Sequence, residues 1–170
     1  LIRLNMNKIE SSINKISNFL GKIVSWFTSI LVLVVVYDVI SRYFFGISST
    51  AVQELTWHIF SIIFLLGASY TLKEEGHVRV DLFYQKYSEK TKAVVNLIGT
   101  LIFIVPFALV VIITSINWTI NSFMMNEVSP DPGGLGFRFL IKAVLPLSFV
   151  FLLLQSFSLM INSINKIRRT

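Results

Sequence analysis

The chain has 170 residues, no cysteine and a net charge of +6, with 54% apolar and only 14% charged residues. Soluble domains carry about 25% charged residues, so the deficit places this chain in the membrane class, and its length allows one domain. Without cysteine there is no disulfide, thiolate metal site or cysteine nucleophile; the basic residues flank apolar runs and form no stripe of their own, which excludes nucleic acid as a partner.

The chain opens on Leu1, with Met6 and an unusual start codon both open as its natural beginning. Residues 1–22 hold Arg3, Lys8, Lys15 and Lys22 against one acid, Glu10. Met6, Ile9, Ile13, Ile16, Leu20 and Ile23 recur at helical spacing, with Asn, Ser and Lys between them. This predicts an amphipathic helix at the cytoplasmic interface, or a lead-in to the first span. A helix that binds a partner protein is the sharper alternative.

Four apolar runs follow, at about 23–45, 52–72, 94–118 and 139–161. Each is long enough to cross the roughly 30 Å hydrocarbon core of a bilayer. The first run is not a cleavable signal, because it is too long and continues into Ser41-Arg42-Tyr43-Phe44-Phe45 in place of a small-residue cleavage site. Asp38 and Arg42 lie four apart near its end, where they can pair along one helix face. The uncharged turn 46–51 is too short for anything but an antiparallel return.

The second run, Leu55 to Leu72, carries no charged residue. Its small residues Gly67, Ala68, Ser69 and Thr71 allow close helix approach in lipid. It exits through Lys73-Glu74-Glu75-Gly76 into the alternating segment His77-Val78-Arg79-Val80-Asp81. The loop 73–92 is the most basic connection. In the third run Pro106 cannot donate to the Ile102 carbonyl, which predicts a kink. The polar loop 119–138 holds Glu127 and Asp131, two prolines and three glycines, and reads as a defined turn.

In the fourth run Lys142 stands in the first turn and Pro146 follows four residues later. Ser148, Gln155 and Asn162 recur every seven residues and so share one face, directed at another helix. Residues 166–170 form a basic tail. The architecture is therefore an all-α bundle of four transmembrane helices, residues 23–165, preceded by the amphipathic segment 1–22. Twelve of the 15 Lys and Arg fall in the N-terminal segment, the 73–92 loop and the tail. The positive-inside rule then places both termini in the cytoplasm and the 46–51 and 119–138 loops outside.

The chemistry is sparse. The two histidines, His58 and His77, stand nineteen residues apart, about 28 Å on a helix. They cannot clamp one haem or metal, which disfavours the anchor subunit of a redox enzyme. No phosphate loop, nucleophile elbow or metal pattern is present, and no mid-span acid offers a proton relay. A self-contained oligomeric channel lacks pathway charges for the same reason. What remains is a charge cluster at the outer helix ends: Asp38, Arg42, Glu54, His58, Arg138 and Lys142. Glu54 and Lys142 both occupy first turns and are expected to pair with each other; the alternative is that each reaches headgroups separately.

Glu54-x-x-Trp57-His58, the exit Gly76-His77-Val78-Arg79-Val80-Asp81, and Pro132-Gly133-Gly134 followed by Arg138-x-x-x-Lys142-x-x-x-Pro146 together resemble the small membrane subunit of tripartite ATP-independent periplasmic (TRAP) transporters. The similarity covers nearly everything after about Lys15, and is greatest to the small subunits of sialic-acid systems. It implies a non-enzymatic scaffold in a bacterial inner membrane. The implied partners are a large many-span subunit in a 1:1 heterodimer, a periplasmic substrate-binding protein and surrounding phospholipid. It implies no cofactor in this chain, with sodium ions held by the large subunit. By the same analogy Ser48, Ser49, Thr50, Glu127, Asp131, Gly133, Gly134 and Arg138 are expected where the binding protein docks; the alternative is that the Pro-Gly loop only closes the bundle. His77, Arg79 and Asp81 are expected to lock the inner loop.

Overall fold

The computed structural model describes residues 2–74 and 87–169. Four helices account for nearly all of them: α1 Ile2–Phe44, α2 Thr50–Lys73, α3 Glu89–Met124 and α4 Phe139–Arg169. All four are long and apolar enough to cross a membrane.

α1 passes through Gly21 and Lys22 without a break. Its 43 residues measure about 64 Å, roughly twice the hydrocarbon thickness. It ends where Gly46 takes φ 64°, a left-handed turn that glycine adopts without steric cost; the Ile47 N–H then reaches back to the Ser41 carbonyl at 3.1 Å. α2 returns beside α1. A Cβ added at Gly21 would lie 2.7 Å from the Tyr70 ring, so glycine is what lets these two helices come together.

α3 begins under a cap: the Ser88 hydroxyl accepts from the Thr91 N–H at 3.2 Å. It contains one π-type turn, Thr100–Ile104, in which the Val105 N–H donates to the Thr100 carbonyl. This is the form taken by the disturbance expected at Pro106. Widening one turn accommodates a residue that has no N–H and whose ring crowds the carbonyl four positions back. α3 stops at a Schellman turn: Asn126 takes φ 46°, its N–H bonds to Phe123 O, and the Glu127 N–H bonds to Ser122 O, both at 3.0 Å. These two signals make α3 longer at both ends than its apolar run. α4 keeps Pro146 inside it and continues to Arg169.

α4 is the common partner. It packs against α1, α2 and α3, while α1 and α2 also pack together; α3 has no comparable contact with α1 or α2 among the described residues. The bundle is thus open. Small side chains fill much of its interior, beside a few larger ones such as Leu20, Ile59, Leu72 and Gln155. α3 buries Ala93, Thr100, Ala108, Ser115 and Ser122, and α4 buries Ser148, Ser156, Ser158 and Ser163. Most large apolar residues point outward, for example Phe103 at 72% and Ile113 at 66% exposure. Water would not tolerate that surface. Lipid does, and there close packing of small residues takes the place of a hydrophobic core.

Candidate functional site

The end of the bundle that carries both tight connections, 45–49 and 125–138, is organised by one carboxylate. Glu54 sits one turn into α2 and is 6% exposed. Its Oε1 accepts from the Ser129 hydroxyl at 2.5 Å and its Oε2 from the Leu135 backbone N–H at 2.6 Å. Charge-assisted bonds of this kind run shorter and stronger than neutral ones. They pin the middle of the α3–α4 loop onto α2.

The loop is folded to meet this carboxylate. The Ser129 N–H donates to Leu135 O at 3.0 Å, and the Gly134 N–H to Asp131 O at 3.0 Å. The Asp131 N–H donates to the Ser129 hydroxyl at 3.2 Å, and the Arg138 N–H to Glu127 O at 3.1 Å. Gly133 takes φ 76°. Gly134 lies against the carboxylate: a Cβ there would be 2.9 Å from Glu54 Oε2 and nearer still to Ser129. Phe137, 70% exposed, is held at φ 56°, a conformation that costs a bulky residue about 1–3 kcal/mol.

Two cations close the loop's ends. Lys142 forms an ion pair with Glu127, and its Nζ lies 4.4 Å from the centroid of Trp118. The Arg138 guanidinium lies 5.8 Å from the Trp57 ring. Cations over indole faces at these distances are attractive. The amine of Lys142, bonded to Glu127, holds that carboxyl below its ordinary value of 4.5.

The expected Glu54–Lys142 pair does not form. The Schellman turn ending α3 carries Glu127 back over the first turn of α4 and gives Lys142 a nearer acid. Glu54 is satisfied by neutral donors from the loop, which puts Ser129 and Leu135 in the site. Ser129 and Leu135 went unnamed in the sequence reading, although a buried acid facing a serine-proline-glycine loop requires donors of this sort. Asp38 and Arg42 do pair. Of the other residues expected at this end, Ser48 accepts from Gln53 Nε2 at 3.1 Å, Ser49 precedes α2 without a side-chain cap bond, and Thr50 opens it. Asp131 is exposed. His77, Arg79 and Asp81 lie outside the described residues.

At the opposite end a second polar cluster joins α1 to α4. The Ser17 hydroxyl donates to Gln155 Oε1 at 2.7 Å. Gln155 Nε2 and the Ser158 hydroxyl both donate to Asn14 Oδ1, each at 3.1 Å. Of the seven-residue stripe, Ser148 and Gln155 are buried and Asn162 is half-buried. Gln155 alone of the three bonds to a neighbouring helix; Ser148 donates to its own Leu145 carbonyl at 2.8 Å. Asn14 and Ser17 were legible only as polar residues one turn apart on α1.

Among the described residues no group of three His, Asp or Glu is placed to hold a metal. Residues 31–166 match the family model described as "Tripartite ATP-independent periplasmic transporters, DctQ component". No curated protein matches the chain, and no solved structure does.

Proposed function

The chain belongs to the family of tripartite ATP-independent periplasmic transporters, DctQ component, and from that premise we propose that it is the small scaffolding subunit of a sodium-coupled secondary transporter in a bacterial inner membrane. It is a transporter component and not an enzyme, and a multi-pass membrane protein. Family membership carries association with a large membrane subunit and a periplasmic binding protein. It leaves the redox-anchor alternative without support.

The observation that carries the scaffold reading is the state of Glu54. It is the one buried charged residue among the described residues, and both its oxygens are occupied by the loop. Routes for ions and charged solutes through lipid need buried polar or ionised groups along them. The other buried polar side chains here, such as Ser115, Ser148, Gln155 and Ser156, are uncharged and bonded within the bundle. The solute therefore moves in the large subunit, where sodium also binds, and this chain braces that subunit in a 1:1 heterodimer.

The distribution of Lys and Arg puts both termini in the cytoplasm. The 125–138 loop then faces the periplasm. It presents Asp131 together with exposed apolar side chains of Met124, Met125, Val128 and Phe137, a surface suited to docking the binding protein. The transported organic acid is assigned as sialic acid, N-acetylneuraminate, on the chain's overall likeness to the small subunits of sialic-acid systems.

Reconstitution in liposomes tests the reading. Uptake of sialic acid should require this chain, the large subunit, the binding protein and external sodium together. Equal uptake when this chain is omitted, or solute movement by this chain alone, would overturn it.

A further inference from the structure

A cleft of about 530 Å³ opens between the first third of α1 and the last turns of α4. Its lining includes Glu10, Asn14, Lys15 and Asn18 from α1, and Asn162 and Lys166 from α4. Neither the loop end nor the scaffold role explains it. It is a separate surface, at the end of the bundle opposite the 125–138 loop.

Depth is the first consideration. On α4 the uncharged run from Ala143 ends at Asn165, its last turn is polar with Asn162, Ser163 and Asn165, and Lys166 and Arg168 follow. The cleft therefore sits just past the hydrocarbon, in the layer of lipid headgroups. On α1 the exposed side chains of Ile16 and Phe19 stand beside the lining residues Lys15 and Asn18, where acyl chains would lie. The second consideration is what the lining offers. The Asn14 carbonyl oxygen accepts from Gln155 and Ser158. That fixes the amide of Asn14 and leaves its NH2 as the group it presents. Lys15 adds an exposed ammonium. Lys166 adds a second, which also acts on Glu89 of α3. One carboxylate, Glu10, shares the lining.

We infer that this cleft binds the headgroup of a phospholipid. The phosphodiester is held by Lys15, Lys166 and the Asn14 NH2, and the headgroup amine by Glu10. Basic pockets between membrane helices at headgroup depth are suited to lipid phosphates. The acid within the lining favours an amine-bearing headgroup over an anionic one. The bound lipid would tie α1 to α4 just beyond the Ser17–Gln155 bond.

Native mass spectrometry on the assembled complex with the large subunit, in mild detergent, tests this with three probes: phosphatidylethanolamine, phosphatidylglycerol and inorganic phosphate. The complex should retain phosphatidylethanolamine in preference to phosphatidylglycerol. Lys15→Gln should weaken retention about fivefold, and Glu10→Gln should erase the preference. Asn18→Phe, which fills the cleft but leaves both lysines, should also displace the lipid. Undiminished retention in a Lys15→Gln/Lys166→Gln double variant would overturn the proposal. So would displacement of the lipid by inorganic phosphate at equal concentration, which would mark a site for free anions only.

Discussion

Glu54 and the two loop donors it holds, the Ser129 hydroxyl and the Leu135 N–H, are 75 and 81 residues apart in the chain, so the shape of the 125–138 loop depends on a residue of another helix. Gly134 is the point of closest approach. Gly134→Ala would drive a methyl group into Ser129 and Glu54 and should lower stability by about 1–3 kcal/mol. Gly136→Ala, whose nearest neighbour would be Val128 at 4.0 Å, should change it by less than about 0.5 kcal/mol. Thermal unfolding in detergent reads both, and equal effects would count against the Glu54 latch. Glu127 supplies a pH dependence. Lys142 holds its folded-state pKa below 4.5. Its stabilisation is therefore fully present above 4.5 and is lost as the pH falls through the depressed value. Melting curves between pH 7 and pH 3 should show this loss, and Lys142→Met should flatten it. The charges at this end were legible in the sequence as a cluster, and so was the Asp38–Arg42 pair, but the partners of Glu54 and Lys142 were not. Glu54 and Lys142 are equivalent in depth, and only the turn at Asn126 decides which acid Lys142 meets.

Along α3 the buried positions Ala93, Thr100, Ala108, Ser115 and Ser122 are spaced by seven, eight, seven and seven residues. The longer interval falls across the π turn, Thr100–Ile104. The additional residue is absorbed there and the same face stays on α4. Deleting Phe103 should leave the seam aligned, at the expense of the accommodation of Pro106. Deleting Ile112 should rotate Ser115 and Ser122 by about 100° away from α4. Unfolding midpoints should therefore fall far more for the second deletion than for the first. The four helices were plain in the sequence because each apolar run is close to bilayer length. Their ends were not, because capping by Ser88 and the left-handed Asn126 leave little trace in hydropathy. Of the Ser148–Gln155–Asn162 stripe only Gln155 bonds to another helix, because periodicity carries no information on which helix a face meets.

For the whole molecule the absence of cysteine is useful, since any introduced thiol is unique. Intact cells should label Asp131→Cys with a membrane-impermeant maleimide, whereas Lys8→Cys and Lys90→Cys should react only after lysis. Labelling of all three from outside would reverse the proposed orientation. The open arrangement has a further consequence for synthesis. α4 is the shared neighbour of the other helices, and it leaves the ribosome last. Until it is inserted, the α1–α2 hairpin and α3 stand in the bilayer as two unjoined pieces. A chain stopped at Arg138 should keep the hairpin yet let α3 drift from it, a separation that cross-linking between introduced cysteines would report.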